Sequence, residues 1–99
     1  MHIVFINPIA SEKQLCVEYR TLLRPVPHIG LAYLAAVLVR DGHTVEVVDQ
    51  FALHMSNAQL LTHVASMNPE CVAFSCLTPC VNNVITLSHG VRSQCPDAR

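Results

Sequence analysis

Three short apolar segments, each followed by a pattern typical of a helix, constrain the fold more than any other feature of this sequence. The first, residues 3–6, is rich in β-branched and aromatic side chains and ends at Asn7-Pro8. Because proline has no N–H to donate to a strand ladder, the first strand must stop there. The other two strands are predicted at residues 44–49, which alternate, and at residues 71–75, which are apolar without alternation.

Helices are predicted after each strand from the spacing of apolar residues. The first is predicted over residues 28–41. The second should begin with Ser56 or Asn57 as its capping residue and end near position 67, and the third should cover residues 81–94. The positions expected to face the core are Leu31, Leu34, Ala35 and Leu38 in the first helix, Leu60, Leu61, Val64 and Ala65 in the second, and Val81, Val84, Ile85, Ser88 and Val91 in the third.

The order β-α-β-α-β-α predicts an α/β fold, a three-layer, Rossmann-like (flavodoxin-like) parallel sheet. Right-handed crossovers then give the strand order 2-1-3, with ligands bound beyond the carboxyl ends of the strands. The unbroken apolar pattern of the third strand is typical of an interior strand, yet this order leaves it at an edge. We therefore expect residues 1–99 to form a single, partial domain, truncated before strands four and five and prone to self-association.

The composition excludes several classes of function. Hydrophobic residues make up 52% of the chain and charged residues only 13%, which excludes a disordered tail. A formal net charge of −1 leaves no basic stripe for nucleic acid. The longest apolar run, residues 31–39, is much shorter than the roughly 20 residues that span a bilayer, and no positively charged leader precedes Pro8. We expect a cytoplasmic protein that binds neither nucleic acid nor membrane, with its five cysteines as reduced thiols.

Few residue patterns in the sequence carry catalytic chemistry by themselves. With only three glycines, far apart, the chain has no phosphate-binding loop. Cys76 and Cys80 have the C-x-x-x-C spacing that opens the iron–sulfur motif of radical S-adenosylmethionine enzymes, but Asn83 stands where the third cysteine would be. Asp49 ends the second strand and is expected to be a solvated carboxylate without a catalytic role. The sequence thus predicts no complete iron–sulfur motif, no set of metal ligands and no catalytic residue.

Two loops are expected to meet in this topology. Residues 7–28 follow the first strand and residues 75–80 follow the third, so both lie at the carboxyl edge of the sheet. A loop as long as the first is usually kept for a binding role. The candidate site is therefore the edge where these two loops approach one another.

Three motifs resemble a known family: Gly-Leu-Ala-Tyr-Leu-Ala-Ala at 30–36, Gly-His-Thr-Val at 42–45 and Ser-Cys-Leu-Thr at 75–78. Together they make residues 3–96 similar to the amino-terminal cobalamin (B12)-binding domain of B12-dependent radical S-adenosylmethionine proteins. The resemblance implies a corrinoid that lies over the carboxyl ends of the strands and touches the loops after strands one and three. Its cobalt would make the domain metal-binding.

The resemblance also implies how the cobalt is held. In the wider B12-binding fold a D-x-H-x-x-G segment supplies the lower histidine, and matching its glycine to Gly30 places Pro25 and Pro27 at its Asp and His. The implied state is therefore base-off and His-off, as in many members of the radical branch, and His28, one residue out of register, is not expected to ligate cobalt. Ser75-Cys76-Leu77 fits the S-x-L segment of that fold. The cofactor-binding residues implied are Asn7, Pro8, His28, Gly30, Ser75, Leu77 and Thr78.

Two functions remain open from the sequence. The first is a cobalamin-binding module of a radical S-adenosylmethionine methyltransferase-like protein whose catalytic domain is not in this chain. Its partners would be the corrinoid and either a second copy or a radical S-adenosylmethionine catalytic domain or chain. The second is a non-enzymatic interaction domain that has kept the half-fold and lost the ligand. In either case the isolated chain is expected to be non-catalytic.

Overall fold

The computed structural model describes residues 1–10 and 26–99, and its elements follow the predicted order. The strands β1, β2 and β3 cover His2–Asn7, Thr44–Asp49 and Cys71–Phe74. The helices α1, α2 and α3 cover Ile29–Arg40, Asn57–Ser66 and Val81–Gln94, and a 3-10 turn at Thr78–Cys80 leads into α3. Most of the predicted long loop, including Pro25, and the cysteine at position 16 lie outside the described residues. The predicted α/β class is confirmed.

The strands form an all-parallel, three-stranded sheet in the order β2-β1-β3, as predicted. Ile3 of the central strand pairs with Val45 on one side and with Cys71 on the other. Because all strands run the same way, their carboxyl ends meet at one edge of the sheet, which we call the rim. This order is also that of the first three strands of a flavodoxin-like sheet.

The two faces of the sheet are covered unequally. The helices α2 and α3 cover one face, which we call the two-helix face, and α1 alone covers the other, the one-helix face. The side chains completely buried in the first core are Val4, Ile6, Leu60, Val64 and Leu87. The core of the one-helix face is smaller and is formed by Ile3, Phe5 and Leu31.

Local sequence explains where the helices begin and end. The Ser56 hydroxyl accepts a hydrogen bond from the Gln59 N–H, and the Gln59 side chain accepts one from the Ser56 N–H, so the two residues form a capping box. Of the two predicted capping residues, Ser56 is therefore the N-cap. Gly42 lies just beyond the carboxyl end of α1. Its φ is +92°, which glycine adopts without strain.

The predicted core face of α1 is correct except at Leu34. Leu31 is buried and Ala35 and Leu38 pack against the same core, whereas Leu34 is 53% exposed. The helix is apolar on nearly every side. The spacing of its apolar residues therefore predicts which side is buried only approximately, and the prediction is wrong at one position. Leu34 thus joins an exposed apolar surface instead of the core.

The predicted core face of α3 is wrong in part. The buried side consists of Asn83, Leu87 and Val91, while Val81 and Ile85 are exposed. A buried asparagine lies outside any rule based on hydrophobic spacing, because hydrogen bonds compensate for its lost hydration. The helix is therefore rotated from the predicted orientation toward Asn83.

The edge strand β3 is half-buried along its length, whereas the sequence pattern is that of a strand buried on both faces. Val72 and Phe74 pack against the core of the two-helix face, and Cys71 and Ala73 against that of the one-helix face. Both sides of the strand thus contribute to a core, as predicted, but its outer edge leaves part of each residue exposed. Within the described parts of the chain, no helix is long and apolar enough to cross a membrane.

Candidate functional site

A hydrogen bond between two side chains links the two loops that are predicted to meet at the rim. His28 lies just before α1, at the end of the connection from β1, and Ser75 directly follows β3. The Nε2 atom of His28 is 2.9 Å from the Ser75 hydroxyl oxygen. The backbone holds Ser75 in place, because its N–H donates to the carbonyl of Ile6 at 2.9 Å. Two of the residues implied by the family resemblance are thus in direct contact.

The second nitrogen of His28 is also occupied. The Leu31 N–H donates to its Nδ1 atom at 3.1 Å, so the imidazole is the N-cap of α1. An acceptor at Nδ1 requires a lone pair there, which places the proton of the neutral ring on Nε2. His28 therefore donates to Ser75, and its Nε2 has no lone pair with which to remove a proton from that hydroxyl. The pair lacks the arrangement of a nucleophile and its general base.

The imidazole of His28 leaves little room for a side chain at Gly30. A Cβ atom at position 30 would lie 3.2 Å from Cε1 of His28 and 3.5 Å from its Nδ1. The first of these distances is shorter than an ordinary van der Waals contact, so a side chain there would press on the ring. The family resemblance implies that Gly30 contacts the cofactor, and the structure places the ring of His28 next to it.

Asn7 and Asp49 lie side by side at the carboxyl ends of β1 and β2. The Asn7 amide donates to Oδ2 of Asp49 at 3.1 Å. The other oxygen, Oδ1, accepts from the N–H groups of Phe51 and Ala52 at 3.1 and 3.0 Å. Asp49 was expected to be a solvated carboxylate, but it is half-buried and organises the turn after β2. It also fixes the direction of the Asn7 side chain.

A groove opens at the rim between these residues and the start of α1. Its volume is about 360 Å³, and its lining is mainly apolar. The groove lies on the one-helix face, over the ends of β1 and β2. Its lining includes Asn7, Pro27, His28, Ala32, Val47 and Asp49.

A buried ring of three side-chain amides lies at the rim on the two-helix face. Gln50 donates to Asn57 at 2.7 Å, Asn57 donates to Asn83 at 2.7 Å, and Asn83 donates back to Gln50 at 3.2 Å. The backbone of Ile9 is bound by the same ring, since its N–H donates to Gln50 and its carbonyl accepts from Asn83. Gln50 and Asn83 are almost completely buried. The ring therefore anchors the first residues after β1.

Sequence reasoning missed this ring, because its three amides are far apart in the chain and each looks like an ordinary surface residue. The one available signal was Asn83, which continues the spacing of Leu87 and Val91 on α3. That position also bears on the iron–sulfur motif. The residue that stands in place of a third cysteine is held inside the protein by hydrogen bonds to Asn57, Gln50 and Ile9.

The remaining implied site residues lie on the β3 side of the rim. Pro8 is buried, and its carbonyl accepts a weak hydrogen bond from the Cys80 thiol at 3.5 Å. Leu77 and Thr78 are exposed at the start of the 3-10 turn and do not line the groove. Of the implied site residues, Asn7 and His28 line the groove, and Ser75 and Gly30 contact His28. Pro8, Leu77 and Thr78 lie apart from the groove.

Two cysteines, Cys76 before the 3-10 turn and Cys80 at its end, differ in exposure. Cys76 is exposed and Cys80 is half-buried, and the four described cysteines are free thiols. Burial, and then the proximity of Cys76, raise the pKa of the Cys80 thiol above its usual value of 9.0. Cys80 is therefore a neutral hydrogen-bond donor at physiological pH. Within residues 1–10 and 26–99, no three His, Cys, Asp or Glu side chains are arranged to hold a metal ion.

Comparison with known proteins adds no relative: no family model, curated protein or solved structure matches this chain. The likeness to cobalamin-binding domains therefore rests on the three motifs named above. Of those motifs, the one at 75–78 begins with Ser75, which bonds to His28, two residues before the motif at 30–36.

Proposed function

We propose that this chain is a cobalamin-binding module of the base-off, His-off type, related to those of radical S-adenosylmethionine methyltransferases. The observation that carries the proposal is the hydrogen bond between His28 and Ser75. It ties the segment that leads into α1 to the segment after β3, and two of the three family motifs, at 30–36 and 75–78, begin within two residues of the bonded pair. The proposed ligand site is the rim beside this bond.

The occupied nitrogens of His28 support the His-off part of the proposal. A cobalt ligand needs a free lone pair on an imidazole nitrogen. Nδ1 already accepts from Leu31, and Nε2 carries the proton that is donated to Ser75. His28 would therefore act as a support for the two loops, and the lower face of the corrinoid would receive no imidazole from it.

The groove beside His28 supports the position of the ligand. Ala32 on α1 and Val47 on β2 offer apolar walls to a large flat ring, and the amide of Asn7 offers polar contacts at the end of β1. When bound, cobalamin would supply cobalt as a carrier of a methyl group. The role of the residues in this chain would be to bind the ring and to keep imidazole away from the metal.

Titration with hydroxocobalamin, followed by its absorbance spectrum, tests the proposal with two matched variants. Ala32 and Ala36 are both exposed on α1, one turn apart, and only Ala32 lines the groove. Ala32→Phe should therefore weaken binding by at least about tenfold, while Ala36→Phe should bind like the natural sequence. Equal binding by both variants would place the ligand elsewhere, and no spectral change in the natural protein would refute cobalamin binding.

A third variant tests the role of His28. Asparagine can cap a helix but has no imidazole, so His28→Asn should keep α1 in place. We expect this variant to give the same base-off spectrum as the natural protein. A nitrogen-ligated spectrum that disappears in His28→Asn would instead make His28 the lower ligand of cobalt.

An interaction domain without a cofactor is the second candidate, and the exposed surface of α1 favours it. Ile29 and Tyr33 are 69% and 73% exposed, and Leu34 and Val37 lie next to them. Apolar patches of this kind on a small domain are typical of contact surfaces. If the natural protein does not bind cobalamin but self-associates, and Tyr33→Lys abolishes that association, this second function is correct. The cytoplasmic location and the lack of turnover by the chain alone remain predictions.

A further inference from the structure

Two thiols lie on either side of the 3-10 turn, on the β3 side of the rim. Cys76 is exposed and precedes the turn, whereas Cys80 is half-buried and ends it. Their C-x-x-x-C spacing does not continue to a third cysteine, because Asn83 stands at that position and is held in the buried amide ring. The motif therefore leaves two cysteines as a pair.

The backbone brings the two cysteines toward each other. The Cys80 N–H donates to the carbonyl of Leu77 at 2.8 Å, which closes the turn between them. Leu77 is the N-cap of this turn, so Cys76 occupies the position before the cap, from which side chains pack back onto a first turn. The preceding residue is fixed as well, because the Ser75 N–H donates to the carbonyl of Ile6. Both ends of the segment are thus anchored with the two thiols on the same short turn.

The acidity of Cys80 agrees with this proximity. Burial, and then the charge of Cys76, raise the pKa of the Cys80 thiol. The effect of one charge on another decreases with distance, so the two sulfur atoms are near neighbours. Of the two, Cys76 is the accessible nucleophile, and Cys80 is the shielded thiol that reacts second.

We propose that Cys76 and Cys80 form a reversible thiol–disulfide pair, whose oxidation breaks the contact between the 3-10 turn and Pro8. The oxidant is a low-molecular-weight disulfide such as oxidised glutathione. The Cys76 thiolate attacks one of its sulfur atoms and forms a mixed disulfide, and one glutathione thiolate leaves and takes up the proton that Cys76 lost. Cys80 then gives its proton to water and attacks the Cys76 sulfur, and the second glutathione leaves and is protonated in turn. Two protein thiols are oxidised, and one disulfide is reduced to two thiols.

The effect on the rim follows from the hydrogen bond of Cys80. In the reduced chain its thiol donates to the carbonyl of Pro8 at 3.5 Å. A sulfur atom in a disulfide has no proton to donate, so oxidation removes this bond. Pro8 is buried and directly follows Asn7, which lines the groove. The pair therefore acts on the segment after β1 whether or not a corrinoid binds beside it.

Intact-mass spectrometry of the full chain after incubation with oxidised glutathione tests the pairing. The natural chain should lose two hydrogen atoms and two alkylatable thiols, and dithiothreitol should restore both. Cys80→Ser should instead retain one glutathione on Cys76, because no second thiol resolves the mixed disulfide.

Two further variants are the controls. Cys95→Ser changes a half-buried cysteine at the other end of α3, and Cys16→Ser changes the cysteine outside the described residues. Both should form the internal disulfide like the natural chain. A lasting glutathione adduct on Cys76 of the natural chain, or loss of the disulfide in either control, would overturn the pairing.

The carbonyl ¹³C resonance of Pro8 tests the link to the rim. Oxidation should shift this resonance toward its position in reduced Cys80→Ala, which also lacks the thiol donor, and dithiothreitol should return it. Cys95→Ala should leave the resonance unchanged. A disulfide that forms without moving the Pro8 resonance would show that the pair does not act on the segment after β1, which contradicts the proposal.

Discussion

The two faces of the sheet show how the same strands can support a complete core on one side and an incomplete one on the other. On the two-helix face, α2 and α3 exclude solvent from Val4, Leu60 and Leu87. On the one-helix face, α1 buries only Leu31 completely and leaves Ile29 and Tyr33 in solvent. The first face therefore supplies most of the stability of the fold, and the second carries the groove and the exposed apolar surface.

The largest expected effect comes from breaking the core of the two-helix face. Leu87→Ala should lower the free energy of unfolding by about 2–5 kcal/mol, since it leaves a cavity among fully buried side chains. The matched change on the other face, Leu34→Ala, should cost less than about 0.5 kcal/mol because Leu34 is exposed. Urea unfolding of both variants measures the difference. Equal losses would mean that Leu34 is buried as fully as Leu87.

The next largest effect concerns the buried amide ring. Asn83→Ala should cost about 1–3 kcal/mol, because Gln50, Asn57 and the carbonyl of Ile9 each lose a hydrogen-bond partner. Asn82→Ala is the control, since Asn82 is exposed on the same helix. Thermal unfolding should separate the two variants by several degrees. A neutral Asn83→Ala would show that water replaces the ring without cost.

A smaller effect is expected at the cap of α1. His28→Ala should cost about 0.5–2 kcal/mol, because it removes the acceptor of the Leu31 N–H and the bond to Ser75. His28→Asn should recover most of this loss by capping the helix with an amide oxygen. If His28→Ala unfolds at the same urea concentration as the natural protein, the hydrogen bonds of the imidazole to Leu31 and Ser75 do not stabilise the fold.

The smallest effect is a dependence of stability on alkaline pH. Folding raises the pKa of Cys80, so the folded state holds a proton that the unfolded state releases first. The contribution of Cys80 to the free energy of unfolding is therefore complete below about pH 9. It decreases as the pH rises through the pKa of the folded state. Cys80→Ala should remove this part of the decrease when unfolding is compared at pH 8 and pH 10. Iodoacetamide should also alkylate exposed Cys76 before Cys80.

The topology and most element boundaries follow from the sequence because they depend on local signals. The proline at position 8, the glycine at position 42 and the apolar β-branched segments act over a few residues, and the structure agrees with each. The strand order follows from these elements through the handedness of crossovers. Local pattern is therefore sufficient for the arrangement of the sheet.

The rim is less predictable because its contacts join residues that are far apart in the chain. The sequence identifies His28 and Ser75 as residues of interest, but not that they bond to one another or that His28 caps α1. The ring of Gln50, Asn57 and Asn83 gives almost no local signal, since three amides become a buried unit only when the fold brings them together. The sequence also predicts the wrong buried side for part of α3, because the buried Asn83 belongs to this ring.

Electron paramagnetic resonance of cob(II)alamin added to the full chain, uniformly labelled with ¹⁵N, tests the central claim most directly. In low-spin cobalt(II) the orbital that holds the unpaired electron is directed along the axis perpendicular to the corrin ring. A nitrogen ligand on that axis therefore splits each line of the cobalt hyperfine pattern. We predict a bound, base-off spectrum without nitrogen splitting, because both nitrogens of His28 are engaged within the protein. A ¹⁵N doublet would show that a protein imidazole ligates cobalt, and a spectrum identical to that of free cob(II)alamin would show that the chain does not bind it. Either result would contradict the account.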